Sequence, residues 1–174
     1  MINAAIVGIG RWGQYLVKSV QGNSEFIKFT AGVTRTKSKA ENFCRENLID
    51  LRNQYSEILT DPNITAVVLA TPHTQHEEQI VAAAEAGKHV FTEKPFTLDK
   101  PSAERAVEAC KKAGVTLALG HNRRFMDNTV ALKAMIKAEE LGTLMHIDGN
   151  QSSCLLYTSP SPRDLSTSRM PSSA

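Results

Sequence analysis

The chain has 174 residues, 41% of them hydrophobic and 22% charged, which suits one ordinary domain with a real core and excludes a disordered chain. Its 20 basic and 18 acidic residues leave a net charge of +2, too balanced to mark a nucleic-acid binder by charge. No apolar run approaches membrane-spanning length, so no membrane partner is expected.

Ile2 to Val7 reads as a strand directly after Met1, which leaves no room for a signal peptide and makes a cytoplasmic location the expectation. A helix follows from Arg11 to Val20, with Tyr15, Leu16 and either Ser19 or Val20 on one side. Residues 26–33 read as a second strand, and 38–47 as a helix with Ala40, Phe43 and Cys44 inward. Leu51 falls in a short strand, and residues 55–59 form about one helical turn. The apolar run 66–70 suits a parallel strand covered on both faces. Residues 77–86 form a helix stopped by Gly87, and 89–92 a short strand. Asp99 caps a helix that has Pro101 in its first turn, runs to Ala113 and stops at Gly114. A strand over 115–119 and an amphipathic helix over 128–140 follow, the latter aligning Leu132, Met135, Ile136 and Leu141. Residues 143–151 begin a strand with no partner left in the sequence. Alternating strands and helices predict βαβ units and an α/β fold with a doubly wound parallel sheet.

Four motifs carry chemistry. Gly8-Ile9-Gly10-Arg11-Trp12-Gly13 follows a strand and opens a helix, the context the dinucleotide fingerprint demands. Gly8 permits the tight turn, Gly10 lets backbone approach a pyrophosphate, and Gly13 allows close helix–strand packing. The helix N-terminus offers free N–H groups to the phosphates. At the end of the second strand, Thr34 and Arg35 stand where an NAD-selective site places an acid, with Lys37 and Lys39 nearby. A hydroxyl and a guanidinium suit a 2′-phosphate, so NADP is the preferred cofactor over NAD. Thr71-Pro72-His73-Thr74-Gln75-His76 lies at the C-terminal end of a central strand. His73 and His76 lack a third metal ligand at sensible spacing, so a helix-entry loop near the cofactor is expected and no metal. Glu93-Lys94-Pro95 again follows a strand; Lys94 there donates to a substrate hydroxyl or approaches the nicotinamide, unless it is a surface Glu–Lys pair with no role. The three cysteines, Cys44, Cys110 and Cys154, form no CxxC pair and no metal spacing, and Cys44 and Cys110 read as buried or half-buried thiols.

In order and spacing these motifs resemble the Gfo/Idh/MocA oxidoreductase family, from Ile2 to about Ser152. The most specific stretches are Asp61 to Pro72, Ala86-Gly87-Lys88-His89-Val90, Glu93-Lys94-Pro95 and Gly120-His121-Asn122-Arg123-Arg124-Phe125. The resemblance implies an N-terminal Rossmann-like domain and a C-terminal α+β domain that supplies much of the substrate pocket and usually the oligomer contact. It implies hydride transfer between nicotinamide and a hydroxyl-bearing carbon, typically of a sugar, inositol or polyol, by a parent protein expected to be a homo-oligomer. Lys94 matches the family lysine that binds substrate and helps proton transfer; its usual Asp and His partners would lie past Gln151. Motifs and resemblance together assign cofactor contacts to Gly8, Ile9, Gly10, Arg11, Trp12, Gly13, Thr34, Arg35, Thr71, Pro72, His76, Glu93, Lys94, Asn122 and Arg123.

The domain reading is a dinucleotide-binding domain over 1–142, the first strand of a missing C-terminal domain over 143–153, and a disordered, non-native tail over 154–174. The tail, from Cys154 to Asp164 and from Ser168 to Ala174, resembles the in-frame translation of a transposase-type sequencing adapter, with Leu165-Ser166-Thr167 in place of the index. Such a fragment is expected to bind dinucleotide weakly or not at all, and not to turn over. Two other readings stand beside the enzyme: a dinucleotide-binding regulatory module without redox catalysis, and a related two-domain reductase of the biliverdin or amino-acid type. Glu93-Lys94-Pro95 with residues 120–125 argues against the amino-acid case.

Overall fold

The computed structural model describes residues 1–149; the segment 154–174 and the end of the strand expected over 143–151 lie outside them. The chain divides into two compact units, Met1–Arg124 and the residues from Phe125 on. In the first, β1 (Ile2–Val7), β2 (Ile27–Val33), β3 (Asp50–Arg52), β4 (Ala66–Leu69), β5 (His89–Thr92) and β6 (Leu117–Leu119) form one parallel sheet in the order β3-β2-β1-β4-β5-β6. The chain steps outward from β1 to β3, then returns to lay β4 on the other side of β1. That reversal opens a crevice beyond the C-terminal ends of β1 and β4.

Helices cover both sheet faces, as the strand pattern requires. Ala5, Val7, Val67 and Leu69 belong to one buried cluster with residues of α3 (Tyr55–Thr60), α4 (His76–Glu85) and α5 (Lys100–Ala113). Ala4 and Ile6 belong to the other, with Val17 of α1 (Arg11–Val20) and Phe43 and Cys44 of α2 (Glu41–Glu46). Successive β1 residues therefore point to opposite cores, which is why the whole run from Ala4 to Val7 is apolar.

Three sequence expectations change. On α1 the buried residues are Gly13 and Val17, while Tyr15 is 60% exposed and Ser19 faces solvent. Gly13 must face the sheet to pack against the β1 turn, and Tyr15, two residues on, is carried about 200° round the helix. The helix expected over 38–47 is split into a 3₁₀ turn at Lys37–Lys39 and α2, because the Ala40 N–H bonds back to Lys37; Ala40, Phe43 and Cys44 are nevertheless all buried. Residues 143–149 pair with no strand among the described residues, and a strand exists only within a ladder. Before them, α6 (Asp127–Lys137) leaves Leu132, Met135 and Ile136 exposed. No helix among the described residues is long and apolar enough to cross a membrane.

Local devices hold the crossovers. Asp99 caps α5: its carboxylate accepts from the Ser102 N–H at 2.8 Å, and Ser102 Oγ accepts from the Asp99 N–H at 3.1 Å. Gly114 ends the helix at φ +68°. Lys88, buried just before β5, donates to the carbonyls of Asp61 and Ile64, each at 2.7 Å, and so clamps the turn into β4. Hydrogen bonds from the Ser102 hydroxyl and N–H hold the Asp99 carboxyl below its ordinary value, and the Asn63 N–H does the same for Asp61, with help from the Asn63 side chain, Arg52 and Lys88. Both native values are depressed, so the stability they contribute is present above the unfolded values and is lost as pH falls through the native ones. Thermal melts between about pH 5 and pH 2 should therefore show a falling limb that is shallower in Asp99→Asn.

Candidate functional site

The crevice is built by glycines. Gly8 turns the chain out of β1 at φ +94°, and a Cβ there would lie 2.7 Å from the Ala70 carbonyl oxygen. Only glycine lets the turn after β1 touch the turn after β4. At Gly13 a Cβ would lie 2.0 Å from the Gly8 carbonyl oxygen. Gly10 is different: nothing lies within 4 Å of its Cβ position, so its backbone faces open space that a ligand can enter. Gly10 also caps α1 without a side-chain bond, and the first turn holds no acid, only Arg11 as a charge. Unsatisfied N–H groups and the positive helix end then favour an anion such as a pyrophosphate.

These turns border a cavity of about 410 Å³. Of the residues singled out in the sequence, Gly8, Ile9, Gly10, Thr34, Arg35, Thr71 and Pro72 line it. Among the described residues no carboxylate does. Lys39 joins Thr34 and Arg35 at its rim, whereas Lys37 is turned away and donates to Asn53 Oδ1. The open Gly10 backbone and the helix end beside it are groups that could hold the phosphates of a dinucleotide.

Sequence reasoning missed part of the wall. Tyr55, Gln75 and Gln79 also line the cavity. The Thr71 hydroxyl donates to Gln79 Oε1 at 2.6 Å, and the Tyr55 hydroxyl donates to the Gln79 carbonyl at 2.9 Å. Burial pushes the Tyr55 phenol above its ordinary value, which keeps it a donor. The available signal was the spacing of Gln75 and Gln79, four residues apart at the start of α4 and therefore on one helix face.

The other predicted residues lie off the cavity. Arg11 is exposed, and Trp12, 43% exposed, stacks on Tyr15 with ring centroids 5.0 Å apart. Gly13 acts through packing. Asn122 and Arg123 sit exposed in the 3₁₀ turn after β6. His76 and Glu93 also lie away from the cavity lining. His76 is 1% exposed and each ring nitrogen lies within 3.1 Å of a main-chain carbonyl oxygen, so its ring is enclosed by the backbone. Glu93 is buried; its carboxylate lies where a Cβ on Gly120 would come within 2.8 Å, and it accepts from the Lys94 N–H at 3.3 Å rather than reaching the cavity.

Lys94 is the second residue beyond β5. The Glu93 N–H still bonds to Leu69 of β4 at 3.0 Å, which fixes where the ladder ends and the lysine begins. The side chain is exposed, and its amine makes no ion pair or hydrogen bond among the described residues. No group of three His, Cys, Asp or Glu among the described residues is placed to hold a metal ion.

Comparison with known proteins agrees with this geometry. The model of the Gfo/Idh/MocA oxidoreductase family, NAD-binding Rossmann fold, matches residues 2–121. The chain is 34% identical over 149 residues to the NAD(+)-dependent scyllo-inositol 2-dehydrogenase of Bacillus subtilis strain 168, which covers 85% of this chain and 44% of that protein. It is 30% identical to the 2,7-anhydro-N-acetylneuraminate hydratase of Escherichia coli K12, over 83% of this chain and 38% of that protein. The crystal structure of scyllo-inositol dehydrogenase from Lactobacillus casei with bound NAD(H) and scyllo-inositol superposes with a TM-score of 0.77 at 26% identity, over 82% of this chain and 42% of that one. The chain thus spans less than half the length of the relatives it matches. With a six-stranded parallel sheet, the glycine-built crevice and a family match over most of its length, the chain belongs to the Gfo/Idh/MocA oxidoreductases and carries their NAD-binding Rossmann fold.

Proposed function

We propose that this chain is the cofactor-binding half of an oxidoreductase that moves hydride between a nicotinamide and a hydroxyl- or carbonyl-bearing carbon of a sugar or polyol. The observation that carries the reading is Lys94, a free amine at the end of β5, next to the strand whose end walls the dinucleotide cavity. A pure binding module has no use for it there. The nicotinamide, when bound, supplies the hydride chemistry. In the oxidising direction neutral Lys94 Nζ accepts the substrate hydroxyl proton; in the reducing direction the ammonium returns it to the oxygen. The inositol dehydrogenases among the relatives support a polyol substrate, while the hydratase is named for a different net reaction. Substrate choice therefore rests on residues beyond this half.

The preferred cofactor is NADP(H), because Thr34, Arg35 and Lys39 rim a cavity without a carboxylate. Arg35 grips a 2′-phosphate, and a hydrogen bond to a charged group is worth about 1.5–3 kcal/mol, or roughly 10- to 100-fold. Fluorescence titration with NADPH and NADH tests this. NADPH is expected to bind more tightly, and Arg35→Ala to weaken NADPH by about that factor while leaving NADH unchanged. A preference for NADH refutes it. Binding to this chain alone is expected to be weak, and steady-state dehydrogenase turnover by it would contradict the assignment of half a site.

A further inference from the structure

The buried imidazole of His76 opens α4. Its Nδ1 lies 3.0 Å from the Pro95 carbonyl oxygen and 3.1 Å from that of Phe96, and its Nε2 lies 3.0 Å from the Thr71 carbonyl oxygen. All three neighbours are acceptors, so the ring is the donor in any hydrogen bond made there. Thr71 belongs to the turn that lines the cavity. Pro95 and Phe96 follow Lys94 directly. One side chain thus lies between the wall of the cofactor pocket and the segment that carries the lysine, donating to a carbonyl on one side and packing against the other. Taking it away removes a donor from between these carbonyls, and no other side chain bonds to Thr71, Pro95 or Phe96 carbonyls among the described residues.

We propose that His76 is a positioning residue that makes the turn after β4 and the segment after β5 move as one body, so that filling the dinucleotide cavity is transmitted to Lys94. The role assigned to Lys94 rests on the oxidoreductase reading above; the mechanical link does not. Lys88 provides the control. It too is a buried donor to two carbonyls, those of Asp61 and Ile64, but it acts at the opposite, N-terminal end of β5.

The test is a set of ¹⁵N–¹H spectra of the whole chain as wild type, His76→Gln, His76→Ala and Lys88→Met, each alone and with NADPH at millimolar concentration. Glutamine keeps one donor group but cannot span both sides. Without NADPH, His76→Gln is expected to move amide signals at both Thr71–Gln75 and Phe96–Leu98, whereas Lys88→Met moves those near Asp61–Ile64 and leaves these two segments in place. With NADPH, the wild-type perturbation reaches Phe96–Leu98, is lost there in His76→Gln and persists in Lys88→Met. Equal responses of Phe96–Leu98 in wild type and His76→Gln overturn the proposal. If NADPH moves no wild-type signal, this chain alone does not hold the dinucleotide and the NADPH-free comparison decides the link by itself. If both His76 variants fail to fold, the wild-type ring decides: a slowly exchanging ring N–H whose signal shifts with NADPH supports the link, and one that exchanges rapidly or ignores NADPH overturns it.

Discussion

Gly13→Ala is expected to abolish dinucleotide binding and to unfold a large fraction of the chain. The new Cβ would stand 2.0 Å from the Gly8 carbonyl oxygen, far inside any tolerated contact. Gly8 cannot yield. Its N–H bonds to the Val33 carbonyl at 2.8 Å, and a Cβ on it would stand 2.7 Å from the Ala70 carbonyl oxygen. The helix must therefore lift, which draws Val17, wholly buried, out of the core beside Ile6. Overpacking against fixed backbone costs at the upper end of single-residue effects, about 4–5 kcal/mol, against a total stability of roughly 5–15 kcal/mol. Gly10→Ala makes the contrast sharp. Its Cβ meets nothing, so the melting temperature should hold while the affinity for NADPH falls, because the methyl group occupies the space through which a pyrophosphate approaches. Circular-dichroism melts and NADPH titrations on both variants check this. Wild-type melting and affinity in Gly13→Ala would remove the close-packing account of the fingerprint.

In the complete protein, Lys94→Met should lower kcat by about 10²–10⁴-fold, the usual worth of a positioned acid–base group. Stability should scarcely change, since Lys94 is exposed and makes no ion pair among the described residues. Cofactor affinity should also hold, because Lys94 does not line the cavity. That separation, an intact fold and cofactor site with lost turnover, distinguishes a proton-handling lysine from a packing or phosphate-binding one. Measurement of kcat, NADPH affinity and melting temperature together decides it, and a kcat within a few-fold of wild type would make Lys94 an exposed lysine without a catalytic role.

Much of the fold was legible because its signals are local. The run Ile2–Val7 is β1 residue for residue, and His89–Thr92 is β5. Asp99, Pro101 and Gly114 bound α5 as read, since a capping side chain and a left-handed glycine act within one helical turn of themselves. The crevice was legible for a related reason: Gly8 and Gly13 meet the close-packing demands of a strand–turn–helix junction, and Gly10 leaves its backbone open there.

The differences involve contacts that the one-dimensional pattern does not display, some local and some far along the chain. The rotation of α1 follows from Gly13 meeting Gly8, which the amphipathic pattern around Tyr15 did not reveal. Lys39 rather than Lys37 reaches the cavity because Asn53, 16 residues on, captures Lys37. His76 reads as a ligand from its neighbours Thr71 and Pro72, yet its Nδ1 faces Pro95, 19 residues later, across the gap between β4 and β5. The sequence by itself determined the α/β alternation, the dinucleotide junction, the missing acid after β2 and the lysine after β5, because these are set by backbone demands and residue chemistry within a few positions. Only the tertiary structure decided which of those residues face the cavity and which serve as buried ties, because parallel strands bring together side chains separated by a whole crossover, and burial then assigns each polar group to whatever partner lies within reach.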